Sequence, residues 1–128
     1  MPLVYERDDV ERRVVATVTG SFHGADLFAF LARQRDDGTW TYGLLFDTCS
    51  MAGHPTIEDV RVLMKLHADT DAGQPSRGPL ALLATGANVY GMASMCAALG
   101  GTKRKVQVFS DRDEAVRWLA METGERLA

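Results

Sequence analysis

The sequence predicts a small α/β sandwich with the element order β-β-α-β-α-β-α-β-α. Apolar runs short enough for strands alternate with stretches at helical spacing, and two of those runs, around Leu44 and Leu82, are apolar on both faces. Gly, Pro or Asp punctuates the chain roughly every ten to twenty residues. After the opening pair the connections are too long for hairpins, which implies a mixed, mostly parallel five-stranded sheet with helices on both faces.

Each element has its own signal. Leu3 to Glu6 and Val10 to Thr19 read as two strands joined by the acidic turn Arg7, Asp8, Asp9. Beyond Gly20 the period changes: Leu27, Phe30, Leu31 and Gln34 mark one face of a helix between His23 and Gln34, and Asp37-Gly38 supplies its stop. Trp40 to Asp47 follows as the central strand, and Thr48 to Pro55 as a loop. Thr56 then caps a helix carrying Val60, Leu63, Met64 and His67 on one stripe. Pro79 to Thr85 is a strand, Asn88 to Leu99 a helix stopped by Gly100-Gly101, and Lys105 to Phe109 the last strand. Ser110, with Asp113 three residues on, caps a final helix bearing Ala115, Trp118 and Leu119.

One unbroken alternation over 128 residues is read as a single domain, 1–128. With 46% hydrophobic and 24% charged residues, the composition excludes disordered, fibrous and membrane-embedded chains. A net charge of -3 gives no electrostatic basis for binding nucleic acid. The opening MPLVYERDD has neither the basic start nor the apolar run of a secretory signal, and no apolar stretch approaches membrane-spanning length, so a cytoplasmic location is expected. Cys49 and Cys96 lack CxxC spacing and are read as free thiols.

In such a sheet the loops after the strands share one rim, where helix starts gather. That rim would collect Asp47, Thr48, Ser50, His54 and Thr56, then Thr85, Asn88 and Tyr90, then Ser110 and Arg112. Such groups can hold a polar or anionic ligand or a partner; they can also be simply the caps and turns that helices require. Cys49 or Ser50 with His54 and Asp47 has the composition of a nucleophile, base and orienting acid, but no GxSxG elbow accompanies it. His23, His54 and His67 are dispersed, and Cys49-x4-His54 offers two ligands where structural zinc needs four, so no metal is expected. Gly86 to Gly91 lacks both GxGxxG and the P-loop lysine, and no cofactor is expected. Val89, Met92, Met95, Cys96 and Leu99 make the helix from Asn88 soft and apolar on more than one face. Either it is deeply buried, or with Tyr90 it lines a pocket for a small apolar ligand or a self-association surface. Lys103-Arg104-Lys105 is too short a basic run for a nucleic-acid patch.

The order of elements, the strand ending at Asp47, the capped helix nine residues later and the closing VFSDRDEAVRWL resemble the SpoIIAA-like proteins, relatives of the STAS domains (sulfate transporter and anti-sigma factor antagonist). The likeness spans about residues 3 to 121. It implies a non-catalytic regulatory domain that recognises a protein partner, or a second copy of itself, through the 47–56 loop and the following helix. In regulatory members the helix begins with Asp-Ser-Ser-Gly, whose first serine is phosphorylated; Thr56 falls at that place and is the corresponding phosphoacceptor candidate. Here the local sequence is His54-Pro55-Thr56-Ile57-Glu58-Asp59, with no second hydroxyl and no glycine. The alternatives are a carrier or sensor of a small apolar, lipid-like or anionic molecule beside the helix from Asn88, and a small hydrolase at the same rim.

Overall fold

The computed structural model describes residues 3–21, 24–52, 58, 65, 78–85 and 105–127. β1 (Leu3–Asp8) and β2 (Arg13–Gly20) form the expected antiparallel hairpin, with Leu3 opposite Val18 and Asp8 opposite Arg13. The turn lies further on than the sequence predicts, over residues 9–12, and β2 begins at Arg13 instead of Val10. Asp8 is responsible: its Oδ1 accepts the backbone N–H groups of Val10 and Glu11, each at 3.0 Å. Arg12 closes the turn with φ at 54°, a left-handed conformation, and its guanidinium lies over the Tyr42 ring at 5.2 Å. Val10, which extended the apolar pattern, is 91% exposed at the tip.

α1 (Gly24–Asp37) buries Phe30, Leu31 and Gln34, the spacing that the sequence predicts for its inner face. It ends three residues later than expected, where Gly38 takes φ of 75°. The N–H of Thr39 then donates to the Gln34 carbonyl at 3.0 Å and that of Gly38 to the Arg35 carbonyl at 3.4 Å. This is a Schellman closure, and the absent Cβ makes it inexpensive.

β3 (Gly43–Met51) corrects the expected central strand at both ends. Trp40 and Tyr42 are buried in a turn, closed by the Tyr42 N–H donating to the Thr39 carbonyl at 3.1 Å, and do not belong to the strand. At the other end the strand continues past Asp47 into the segment read as a loop, pairing Ser50 with Thr19 and Met51 with Gly20. Between Thr17 and Thr19 the register shifts, so three steps along β3 face two along β2: a bulge. β4 (Leu80–Leu83) and β5 (Val106–Phe109) complete the sheet. Its order is β1-β2-β3-β4-β5, with every pair after the hairpin parallel.

α2 (Arg112–Leu127) is the last described element. Its cap is Asp111, in place of Ser110: Asp111 Oδ1 accepts the Asp113 N–H at 2.8 Å, and its carbonyl accepts that of Ala115 at 3.1 Å. Alternation along the strands divides the core between the two helices. Val14, Ala16, Val18, Leu44, Phe46, Leu80 and Leu82 meet Phe30 and Leu31 of α1, while Leu45, Ala81 and Leu83 meet Ala115 and Leu119 of α2. Phe109 and Trp118 extend the second layer, their rings 5.6 Å apart. The fold is thus the predicted α/β arrangement, a mixed, mostly parallel five-stranded sheet with a helix on each face. The helices expected from Thr56 and from Asn88 lie outside the described residues, apart from Glu58 and Lys65, which are helical and exposed.

Candidate functional site

The parallel strands β2 to β5 all end at one rim. One anchored group there is Asp47, near the carboxyl end of the doubly covered central strand. Its place in the alternation puts it on the α2 side, after Leu45. Its Oδ2 accepts a charge-assisted hydrogen bond from Arg112 Nη1 at 3.2 Å, across 65 residues of sequence. Its Oδ1 accepts the Cys49 N–H at 2.9 Å. Asp47 is only 14% exposed in its side chain, whereas Arg112 is 52% exposed. One carboxylate therefore ties the bulged end of β3 to the first turn of α2.

Thr48 faces the other way and is fully buried. Its hydroxyl donates to the Leu83 carbonyl at 2.8 Å, locking β3 to β4 just where the register with β2 changes. Beyond these two anchors the side chains turn outward: Cys49, Ser50 and Thr85 are exposed, as are Ser110 and Arg112. Burial pushes the Cys49 thiol pKa up; the hydrogen bond and negative charge of Asp47 push it further, while a hydrogen bond with Thr85 and the charge of Arg112 partly oppose them. The shift disfavours the thiolate, the form a nucleophile needs.

Of the residues that the sequence assigns to this rim, Asp47, Thr48, Ser50, Thr85, Ser110 and Arg112 are described, and Asp47 and Arg112 are joined directly. His54, Thr56, Asn88, Tyr90, Met92 and Met95 lie outside the described residues, as do His23, His67 and Cys96. Among the described residues no three His, Cys, Asp or Glu side chains form a group that could hold a metal ion, and no helix is long and apolar enough to cross a membrane. Lys105, the described member of the basic run, pairs with Glu122 of α2 at 2.7 Å. What sequence reading missed was the partnership of Asp47 with Arg112. The signal was an acid closing one strand and a base opening the helix after another.

A hairpin prefixed to a parallel sheet in chain order, with one helix against each face and an anchored rim, places the protein in a definite structural class, the SpoIIAA-like fold. The particular neighbours bear this out. The chain is similar to an anti-sigma factor antagonist from Mycobacterium paratuberculosis, at 13% identity and a TM-score of 0.60, over 91% of this chain and 92% of that one. It is also similar to an uncharacterised protein with a SpoIIAA-like fold from Shewanella loihica, at 16% identity and a TM-score of 0.62, over 91% of each chain. No protein-family model matches the chain, and no curated protein matches it in sequence.

Proposed function

We propose that this chain is a non-catalytic, cytoplasmic regulatory domain that recognises a protein partner, in the manner of an anti-sigma factor antagonist, through the 47–56 loop and the helix that follows. The observation that carries the reading is the anchored end of β3. Asp47 and Thr48 fix the backbone from opposite faces of the sheet, while Cys49 and Ser50 just beyond them remain exposed. A rigid strand end carrying small polar side chains suits docking of a folded partner, because little conformational freedom is lost on binding. That one neighbour is an anti-sigma factor antagonist supports an anti-sigma factor as the class of partner.

Thr56 belongs to the same proposal as its phosphoacceptor. Phosphate at a helix start adds about -1.5 to -2 charges, which Glu58 and Asp59 repel and a surface shaped for a neutral hydroxyl rejects. The test is capture of anti-sigma factors from the host by the wild-type chain and by Thr56→Glu, with native mass spectrometry of the host-purified protein alongside. Capture by the wild type and loss in the Glu variant are expected. Equal capture by both removes the switch; a co-purifying small molecule with no protein partner replaces the regulatory reading with the carrier.

A further inference from the structure

The bulge in β3 creates a problem that the ladder alone does not solve. Where the register shifts between Thr17 and Thr19, the extra residue loses its regular place opposite β2, and its backbone groups need other partners. The Cys49 N–H finds one in Asp47 Oδ1 at 2.9 Å. That carboxylate is itself free to rotate about its side-chain bonds unless its second oxygen is held, and Arg112 Nη1 holds it at 3.2 Å. Arg112 is therefore the outer member of a relay that runs from the first turn of α2, through Asp47, to the bulged backbone carrying Cys49 and Ser50. Ala52, whose N–H donates to the Gly20 carbonyl at 2.8 Å, closes the segment on its far side. Thr48, through Leu83, and Ser50 and Met51, through the ladder with β2, hold the rest of this short segment.

We propose that Arg112 is a positioning residue for the partner-binding rim: through Asp47 it fixes the bulge, and with it the direction in which Cys49 and Ser50 face a partner. The inference rests on the proposed regulatory function for its binding consequence, but the positioning itself does not. Arg112 is about half exposed, so the pair contributes little to global stability, and its loss acts on the rim while the sheet stands.

The experiment compares wild type, Arg112→Ala and Arg112→Lys by amide hydrogen exchange resolved by residue and by affinity for a captured anti-sigma factor. In Arg112→Ala the Cys49 amide is expected to exchange about threefold faster, the scale of one partly exposed ion pair, while the amide of Leu45 in the same strand is unchanged. Affinity falls by a comparable factor, and Lys restores both in part. Unaltered exchange at Cys49 overturns the positioning role, as does equal acceleration at Leu45, which marks a merely structural pair. Altered exchange at Cys49 with unaltered affinity for a bound partner also overturns the proposal, by separating the bulge from recognition. If the wild type captures no partner, the regulatory reading fails, and the exchange data still decide whether Arg112 holds the bulge.

Discussion

The two ends of the sheet are built on different plans. At the end where the parallel strands begin, large side chains and backbone groups interlock. The Tyr42 hydroxyl donates to Asp9 at 2.7 Å, and the Tyr5 hydroxyl bonds the buried Thr39 hydroxyl at 2.6 Å. The Arg33 guanidinium lies 4.0 Å from the centre of the Tyr5 ring, and the Gly43 N–H donates to the Arg12 carbonyl at 3.0 Å. At the end where the strands stop, Thr48 and Asp47 bond across elements, Cys49 and Thr85 share a hydrogen bond, and most of the groups around them are short, polar and exposed. The difference teaches that one end is committed to holding the layers together, which leaves the other able to vary its surface without endangering the fold.

The sharpest way to break this contrast is at Gly78. A Cβ there would overlap the carbonyl oxygens of Thr41 and Tyr42, and backbone atoms cannot swing aside as a side-chain tip can. Gly78→Ala is expected to cost about 3 kcal/mol in urea unfolding, at the upper end for overpacking. A loss below about 1 kcal/mol would show that the beginning of the sheet yields more easily than its contacts imply. Next comes the buried anchor of the opposite end: Thr48→Val leaves the Leu83 carbonyl without its hydroxyl donor and should cost about 2 kcal/mol. Tyr5→Phe removes the bond to Thr39 for about 1 kcal/mol. Arg112→Ala should shift the same transition by less than about 0.5 kcal/mol, since the pair is partly exposed. If Arg112→Ala proved as costly as Tyr5→Phe, the exposed pair at the stopping end would be structural along with the buried Thr48 anchor.

Titration sharpens the comparison with smaller effects. Hydrogen bonds from Arg7, then from Tyr42, hold the Asp9 carboxyl below its ordinary pKa. The contribution is complete above the ordinary carboxyl range and fades as pH falls through the lowered value. Burial first, opposed by the bond to Thr39, raises the Tyr5 phenol. Its folded form keeps the proton longer, so stability present below the ordinary phenol value is lost as pH rises through the raised one, with Cys49 acting in the same direction from the thiol range. Thermal unfolding against pH should show Asp9→Asn with a shallower acid limb and Tyr5→Phe with a shallower alkaline one. An acid limb of unchanged steepness in Asp9→Asn would assign that limb to other carboxylates.

The architecture was legible because its signals are local. Double-sided apolar runs at Leu44 and Leu82, helical spacing at Phe30, Leu31 and Gln34, and a Gly after Asp37 each act within a few residues. The errors fell where a side chain overrode the pattern. Asp8 moved the hairpin turn, and Asp111 took the cap that Ser110 was expected to supply. The bulge let β3 run on to Met51, because a parallel neighbour can pair with residues whose composition reads as loop. At the rim, residue types pointed to Asp47 and Arg112 separately, but no short-range rule joins groups 65 positions apart. Only the crossing of the sheet by the chain does that.

The sequential order of the strands has a consequence for how the molecule comes into being. Each strand lies beside the one before it in the chain, so no strand pairing has to bridge over another strand of the described sheet, and the contacts between strands are as local as the parallel order allows. The helix that brings Arg112 to Asp47 follows all five strands in the chain, so the rim can be fastened only once the last part of the sequence has been made.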